Sequence, residues 1–372
     1  MHIEPFGVEL WMNEWETKCE WNLAETCVES ITIGELLTLA GKNDQSLADL
    51  LPMKMTYGAI EGSESLRCQV AALYDDQDLS NVMITHGTIG ANMLVHKSLI
   101  NAGDRVVAVV PTYQQHYSIP ASIGADVQKL KLREEDGWLP DLDELRTLAR
   151  SGTRLIALNN PNNPTGALMD RSLLEEIAVI ARRIDAWILC DEVYRGTDQD
   201  GTGTTASIVD VYEKGISTAS MSKAYSLAGL RLGWIVAPQN VIETVMIHRD
   251  YDTISVGMID DHFADMALEH GEKLLARSRS ITRENLELLE AFVDSEPLIS
   301  WRKPRSGTTA LLKYELPMSS RELCVSLLQE TGTMFTPGSA LDMEGYIRIG
   351  YANNPAILNE GLGRFSAFLK DY

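Results

Sequence analysis

Basic residues are scarce in this chain. Its 372 residues hold 32 lysines and arginines against 53 aspartates and glutamates, a formal net charge of −21 at pH 7, with no Lys/Arg run. A nucleic-acid partner needs a basic face that displaces phosphate counterions, so the balance argues against one. The acid surplus serves solubility and says little about fold. Cysteine is also sparse: Cys19, Cys27, Cys68, Cys190 and Cys324 are scattered and odd in number. None forms a CxxC pair, so neither a disulfide framework nor a zinc site is suggested. Cys190 lies in an apolar run, where a thiol behaves as a small hydrophobe. No apolar run approaches the roughly 18 residues of a membrane helix. The start, Met1-His2-Ile3-Glu4-Pro5, has neither the basic beginning nor the apolar core of a secretory signal. The expected location is a reducing cytoplasm. Repeats and low-complexity tracts are missing too.

Hydrophobic residues make up 45% of the chain, enough for one large domain or two intimate ones. Val82–Thr85, Arg105–Val110, Arg154–Leu158, Ile188–Asp191, Ile216–Ser220 and Leu232–Ala237 are short, apolar and bounded by turn or polar residues, and read as buried strands. Helical stretches, among them Ala91–Ile100, Leu142–Ala149, Arg171–Ile184 and Asn240–His248, lie between them. Such alternation predicts a mostly parallel sheet covered by helices. After about residue 255 the pattern changes to one long helical stretch, Asp260–Phe292, short strands near Ala310–Tyr314 and Tyr346–Gly350, and a final helix. The expected division is a large domain over 46–255 and a smaller α+β domain from 1–45 with 256–372.

Four clusters stand at the expected ends of sheet strands, where open α/β sheets bind their ligands. Ser220-Met221-Ser222-Lys223 follows a strand, with Arg231 eight residues on. A lysine there can form a Schiff base with an aldehyde cofactor, and Ser220, Ser222 and Arg231 could hold a phosphate; a lone lysine after a strand is more often a surface residue. Asp191-Glu192-Val193-Tyr194 follows Trp187–Cys190. A carboxylate at the end of a buried strand needs a partner, and a pyridinium nitrogen would serve, although capping of the next turn is the plainer alternative. Asn160-Pro161-Asn162-Asn163-Pro164-Thr165-Gly166 is a turn made rigid by two prolines, suited to aiming Asn163; a plain loop is the alternative. Thr85-His86-Gly87-Thr88-Ile89-Gly90-Ala91 joins a strand to a helix, where glycines admit a phosphate and the helix N-terminus favours an anion; taken alone it is an ordinary turn.

Together these segments resemble the class I/II aminotransferases, within fold-type I of the enzymes that use pyridoxal 5′-phosphate (PLP). The resemblance spans roughly residues 55–355. Asn163, Asp191, Lys223, Arg231 and Arg348 stand in the family's order at intervals of 28, 32, 8 and 117 residues. The resemblance implies a large domain with a mostly parallel seven-stranded sheet, a smaller α+β domain, and transfer of an amino group from an amino acid to a 2-oxo acid with ping-pong kinetics. It implies that Lys223 forms the internal aldimine and then acts as acid and base, and that Asp191 pairs with the pyridine nitrogen. Asn163 and Tyr194 would bond the ring's phenolic oxygen. Gly87, Thr88, Ile89, Ser220, Ser222 and Arg231 would form the phosphate cup, and Tyr113 would stack on the ring. Arg348, in Tyr346-Ile347-Arg348-Ile349, matches the arginine that clamps the substrate α-carboxylate, and Asn163 would be a second substrate-binding residue. Tyr57, in Tyr57-Gly58-Ala59-Ile60-Glu61-Gly62, matches a tyrosine that reaches a neighbouring subunit's phosphate, which implies a homodimer with shared sites. No metal is expected, and the role would lie in amino acid metabolism, as a biosynthetic enzyme.

Three departures from the family pattern bear on the substrate. The N-terminal stretch near the substrate carboxylate, Asn22-Leu23-Ala24-Glu25-Thr26, has no glycine. Arg305-Ser306-Gly307-Thr308-Thr309 lacks an aromatic after its glycine. Pro337-Gly338-Ser339 is followed by Ala340-Leu341 rather than an aromatic. For a dicarboxylic substrate a second arginine would be needed, with Arg249 and Arg305 as candidates. Two patterns read as decoys. Gly201-Thr202-Gly203-Thr204-Thr205-Ala206 matches a dinucleotide fingerprint but follows no strand. Asp260, Asp261, His262 and Asp265 do not all share one helix face. A β-lyase, a decarboxylase, or a cyclase acting on an arginine-like substrate, on the same scaffold, would carry every motif above, because the cofactor supplies the hard chemistry. A PLP-sensing regulatory domain is the rival from another class, but there is no basic helix for DNA.

Overall fold

The computed structural model describes residues 2–372; Met1, the first residue of the N-terminal segment, lies outside it. Seven strands form the main sheet: β1 (Val82–Thr85), β2 (Arg105–Val110), β3 (Asp126–Lys131), β4 (Thr153–Asn159), β5 (Trp187–Asp191), β6 (Gly215–Ser220) and β7 (Gly233–Val236). Their order is β1-β7-β6-β5-β4-β2-β3, and β7 alone runs against its neighbours. The central strands are Val/Ile/Leu/Ala-rich and buried on both faces, as parallel strands covered by helices must be. Six strands were legible as apolar runs. The seventh, β3, reads Asp-Val-Gln-Lys-Leu-Lys and is mostly solvated, because an edge strand keeps charges on its open side.

The parallel arrangement places the C-terminal residues of β4, β5 and β6 (Asn159, Asp191 and Ser220) side by side: Asn159 pairs with Asp191, and Asp191 with Thr218. The reversed strand β7 starts at that same edge, where Ser220 pairs with Gly233. Arg231, two residues before Gly233, is thereby delivered to the rim of the edge.

The C-terminal part is built on a four-stranded antiparallel sheet ordered Thr336–Pro337, Tyr346–Gly350, Thr309–Tyr314, Ile299–Trp301. The helical stretch expected as one piece over Asp260–Phe292 is two helices, Met258–Glu269 and Gly271–Ser295, broken at His270, whose backbone leaves helical geometry. The N-terminal segment divides its loyalties. Trp11 and Leu23 join the apolar cluster of the C-terminal part with Phe335, Tyr351 and Phe365. Leu36 and Leu37 pack instead with Leu66, Val82 and Trp234 beside the main sheet. Among the described residues no helix is long and apolar enough to cross a membrane, and all five cysteines are unpaired.

Candidate active site

A cavity of about 440 Å³ opens at the C-terminal edge of the main sheet, between it and the C-terminal part. Lys223 and Asp191 both face it. Asp191 ends β5 and is 3% exposed. Its Oδ1 accepts from the Val193 backbone N–H (3.1 Å) and its Oδ2 from Asn92 Nδ2 (2.8 Å). Asn92 is itself held by Thr218 Oγ1, which donates to its amide oxygen (2.7 Å), and His116 Nε2 lies 3.5 Å from the same Oδ2. The carboxylate is thus fixed from behind and has no lysine or arginine partner among the described residues. Asn92 sits mid-helix and His116 in the first turn of the helix Gln115–Ile123, with no local pattern to announce them, so sequence reasoning missed both.

Lys223 Nζ donates to Thr26 Oγ1 (2.7 Å), lies 3.4 Å from Cys27 Sγ and 3.9 Å from Glu25 Oε1. Burial alone would pull its ammonium down, but Cys27, Tyr194 and Glu25 outweigh it and hold it above the ordinary lysine range. The Cys27 thiol is pushed up to about 11, chiefly by burial. Tyr194 is buried, and burial raises its phenol too.

Around the cavity rim, Thr88 and Ile89 stand in the first turn of the helix Gly87–Leu99, while Ser220, Ser222 and Arg231 line the same side. Thr88 Oγ1 is buried without a partner. Gly87 has φ +66°, and a Cβ there would sit 3.1 Å from the Arg231 guanidinium, so a residue without a side chain lets that arginine come close. Tyr113 lines the wall and packs on Phe6 with ring centroids 4.7 Å apart. Asn163 leaves the rigid turn and faces the cavity, its N–H bonded to Asn159 Oδ1 (2.7 Å). Arg348 reaches in from the C-terminal sheet at 3% exposure. It donates to Asn163 Oδ1 (3.3 Å), Ala24 O (3.1 Å) and Thr336 Oγ1 (3.1 Å), and its Nε has no partner. Burial pulls this guanidinium below its ordinary value.

Tyr57 is the expected site residue that stands apart: it is 71% exposed and not part of the cavity wall. Arg249 and Arg305 do not line the cavity either; Arg249 bonds Ile60 O (3.0 Å) and Asp250. The Gly201–Ala206 stretch is a turn with no helix behind its glycines, and Asp261 and Asp265 accept hydrogen bonds from Ser63 N–H and Ser65 Oγ.

The donor set suits PLP. A buried carboxylate can meet a ring nitrogen, a lysine amine lines the same cavity, an unpartnered threonine hydroxyl and an arginine mark an anion cup, and a buried arginine can meet a carboxylate. The sheet edge and these groups together define a fold-type I PLP-dependent enzyme. Within that class the chain belongs to the aminotransferases of class I and II, whose family model matches residues 42–365. Its cofactor is pyridoxal 5′-phosphate and its reaction amino-group transfer. It is similar to a PLP-dependent aminotransferase of known structure from Streptococcus suis 89-1591, at 42% identity and TM-score 0.97, with 100% of this chain and 99% of that one covered. It is similar to capreomycidine synthase of Streptomyces vinaceus, 31% identical over 96% of this chain and 92% of that protein. The solved PLP-dependent cyclase OrfR is 25% identical with TM-score 0.91, over 100% of this chain and 98% of that one.

Proposed function

We propose that Lys223 is the residue that holds PLP and the acid and base of amino transfer, with Arg348 binding the substrate α-carboxylate. The observation that carries this is the convergence of Lys223, Asp191, Asn163 and Arg348, from four distant stretches of sequence, on one cavity. When bound, PLP supplies an aldehyde and an electron-withdrawing pyridinium ring that stabilises negative charge at the substrate Cα. Asp191, held by Asn92 and Val193, keeps the ring nitrogen protonated. Tyr194 and Asn163 hold the ring's phenolic oxygen, and Tyr113 covers a ring face. Gly87, Thr88, Ile89, Ser220, Ser222 and Arg231 hold the phosphate. Arg348 takes the α-carboxylate with a planar fork, free at Nε, and so orients the Cα–H toward Lys223. Freed as a neutral amine, Lys223 would take the proton from Cα, with Thr26 Oγ1, 2.7 Å from its Nζ, as its positioning partner.

The large part over 46–255 then carries the cofactor, and residues 256–372 with the N-terminal segment carry the substrate clamp. A homodimer is supported by exposed apolar side chains in the stretch leading to Tyr57, with Leu51 at 85% and Met55 at 79% exposure; Tyr57 would reach the partner's phosphate cup. A biosynthetic role in a reducing cytoplasm suits five free thiols. The test is to incubate the PLP form with a panel of amino acids and follow conversion of the cofactor to its amine form, with 2-oxo acid released in equal amount. Absence of both with every amino acid would contradict the reading.

Ring closure on the same cofactor is a second reading, favoured by the near full-length likeness to capreomycidine synthase and to OrfR. Product formed without any 2-oxo acid acceptor, and without conversion of the cofactor, would select it.

A further inference from the structure

Three glutamates line the active-site cavity together. Glu9 lies in the helix Gly7–Trp15 and Glu16 begins the turn after it. Seven residues apart, with Met12 between them on the same wall, they share one helix face. Glu25 comes from the glycine-free stretch that follows. Their commitments differ. Glu9 Oε1 accepts from Tyr113 Oη (3.2 Å). Glu25 Oε1 accepts from the N–H groups of Thr26 (2.7 Å) and Cys27 (2.9 Å). The Glu16 carboxylate has no hydrogen-bond or ion-pair partner among the described residues. Burial, with Glu25 and Glu9 nearby, pushes its carboxyl above the ordinary value, a cost that a cation at this spot would relieve.

In the same cavity Arg348 presents the complementary need. It is 3% exposed, has no carboxylate within ion-pair distance among the described residues, and keeps Nε unpartnered. The cavity therefore holds a buried cation that lacks an anion and, at Glu16, an acid that lacks a partner, while Glu25 lies beside Lys223 and Glu9 accepts from Tyr113. Pairing Arg231 with the cofactor phosphate, Lys223 with its aldehyde and Asp191 with its ring nitrogen uses the other charges on the wall. A second carboxylate on the substrate would meet three glutamates and no further arginine. A neutral side chain would leave Glu16 unpaired.

We infer that the amino donor is an amino acid with a cationic side chain, such as ornithine, lysine or arginine, whose ammonium or guanidinium pairs with Glu16 beside Glu9. The inference rests on the aminotransferase reading and goes further by assigning the substrate class and Glu16 as its specificity determinant. Once bound substrate shields such a pair from water, losing the charge costs about 10- to 100-fold, more than for a pair open to solvent.

The test has two arms on the PLP-loaded protein. In the first, kcat/KM of the first half-reaction is compared for arginine and for citrulline, its uncharged isostere, with aspartate as the acidic control. In the second, calorimetry measures binding of 5-guanidinopentanoate against 5-ureidopentanoate, which lack the α-amino group and cannot react. Arginine is expected to exceed citrulline by about 100-fold and aspartate by more, and the guanidino acid to bind at least tenfold tighter than the ureido acid. In E16Q both ratios are expected to fall at least tenfold, with the circular dichroism spectrum and the bound-cofactor absorption of wild type confirming an intact fold. Glu9→Gln serves as a second variant with a smaller fall in the same direction. Equal handling of guanidino and ureido compounds, or preference for aspartate, overturns the inference while leaving the aminotransferase reading in place. Conversion of none of the amino acids contradicts that reading, and the calorimetric ratio then still decides the charge assignment.

Discussion

The floor and the roof of the cavity are built on opposite terms. The floor is the edge of a parallel sheet: Asp191, Asn163 and Ser220 are 6% exposed or less, and Asp191 is bonded from Asn92 and Val193. The roof is the N-terminal segment, which bonds both halves of the molecule. Gly7 N–H donates to Gln114 Oε1 (2.9 Å) and Gln114 Nε2 to Pro5 O (3.0 Å) on one side; Trp11 Nε1 donates to Phe335 O (2.9 Å) on the other. Further along, Gly350 N–H donates to Leu23 O (2.8 Å), and a Cβ on Gly350 would sit 1.6 Å from Glu25 O. The roof's charged ends, Glu9 and Glu16, remain exposed. A buried floor with its carboxylate bonded from behind suits a cofactor whose position must not vary. A solvated, acid-tipped roof suits recognition of the part of the substrate that does differ between enzymes.

That contrast can be broken from either side. The largest effect is expected at the floor: Lys223→Ala should slow half-transamination by about 10³-fold or more in single-turnover measurements. At the roof, Trp11 is 1% exposed, and Trp11→Ala should cost about 3–5 kcal/mol by removing a buried aromatic. In denaturant unfolding this appears as a lower midpoint, and in kinetics as a raised KM with the bound-cofactor absorption kept. Asn92→Ala removes one bond to a buried carboxylate. It should weaken cofactor retention about tenfold in a dialysis assay, given about 1–3 kcal/mol for an unsatisfied buried group, with little change in donor preference.

The smallest effect concerns Glu25. Burial pushes its carboxyl up, but the Lys223 ammonium and the N–H groups of Cys27 and Thr26 outweigh this and hold it below its ordinary 4.5. A folded-state value below the unfolded one gives stability that is present above pH 4.5 and lost as pH falls through the folded value. The cofactor-free wild type should therefore lose more thermal stability between pH 6 and pH 3.5 than Glu25→Gln does. The difference should be small, because the side chain is 39% exposed and solvent screens it.

The same contrast explains what could be read in the sequence. Lys223, Asp191 and Asn163 were legible because each follows a short apolar run, and a parallel sheet brings all such ends to one edge. Arg348 was legible only through its family-like spacing, since its own strand looks ordinary. Asn92 and His116 were not, because they meet Asp191 through helix packing rather than through any local pattern. Glu9 and Glu16 were hidden for another reason. An acid on a helix face usually belongs to a solvated surface, and only the folded segment turns that face toward the cavity. The edge strand Asp126–Lys131 escaped notice in the same way, by carrying charge where a buried strand carries valine.

The central assignment is Lys223, and borohydride reduction of the PLP-loaded protein tests it most directly. Reduction fixes the cofactor to the amine that holds it, and peptide mass mapping then finds the label. The expected result is one pyridoxyl group, on the peptide containing Lys223. A label on another lysine, or none after reduction of a fully loaded sample, would contradict the account.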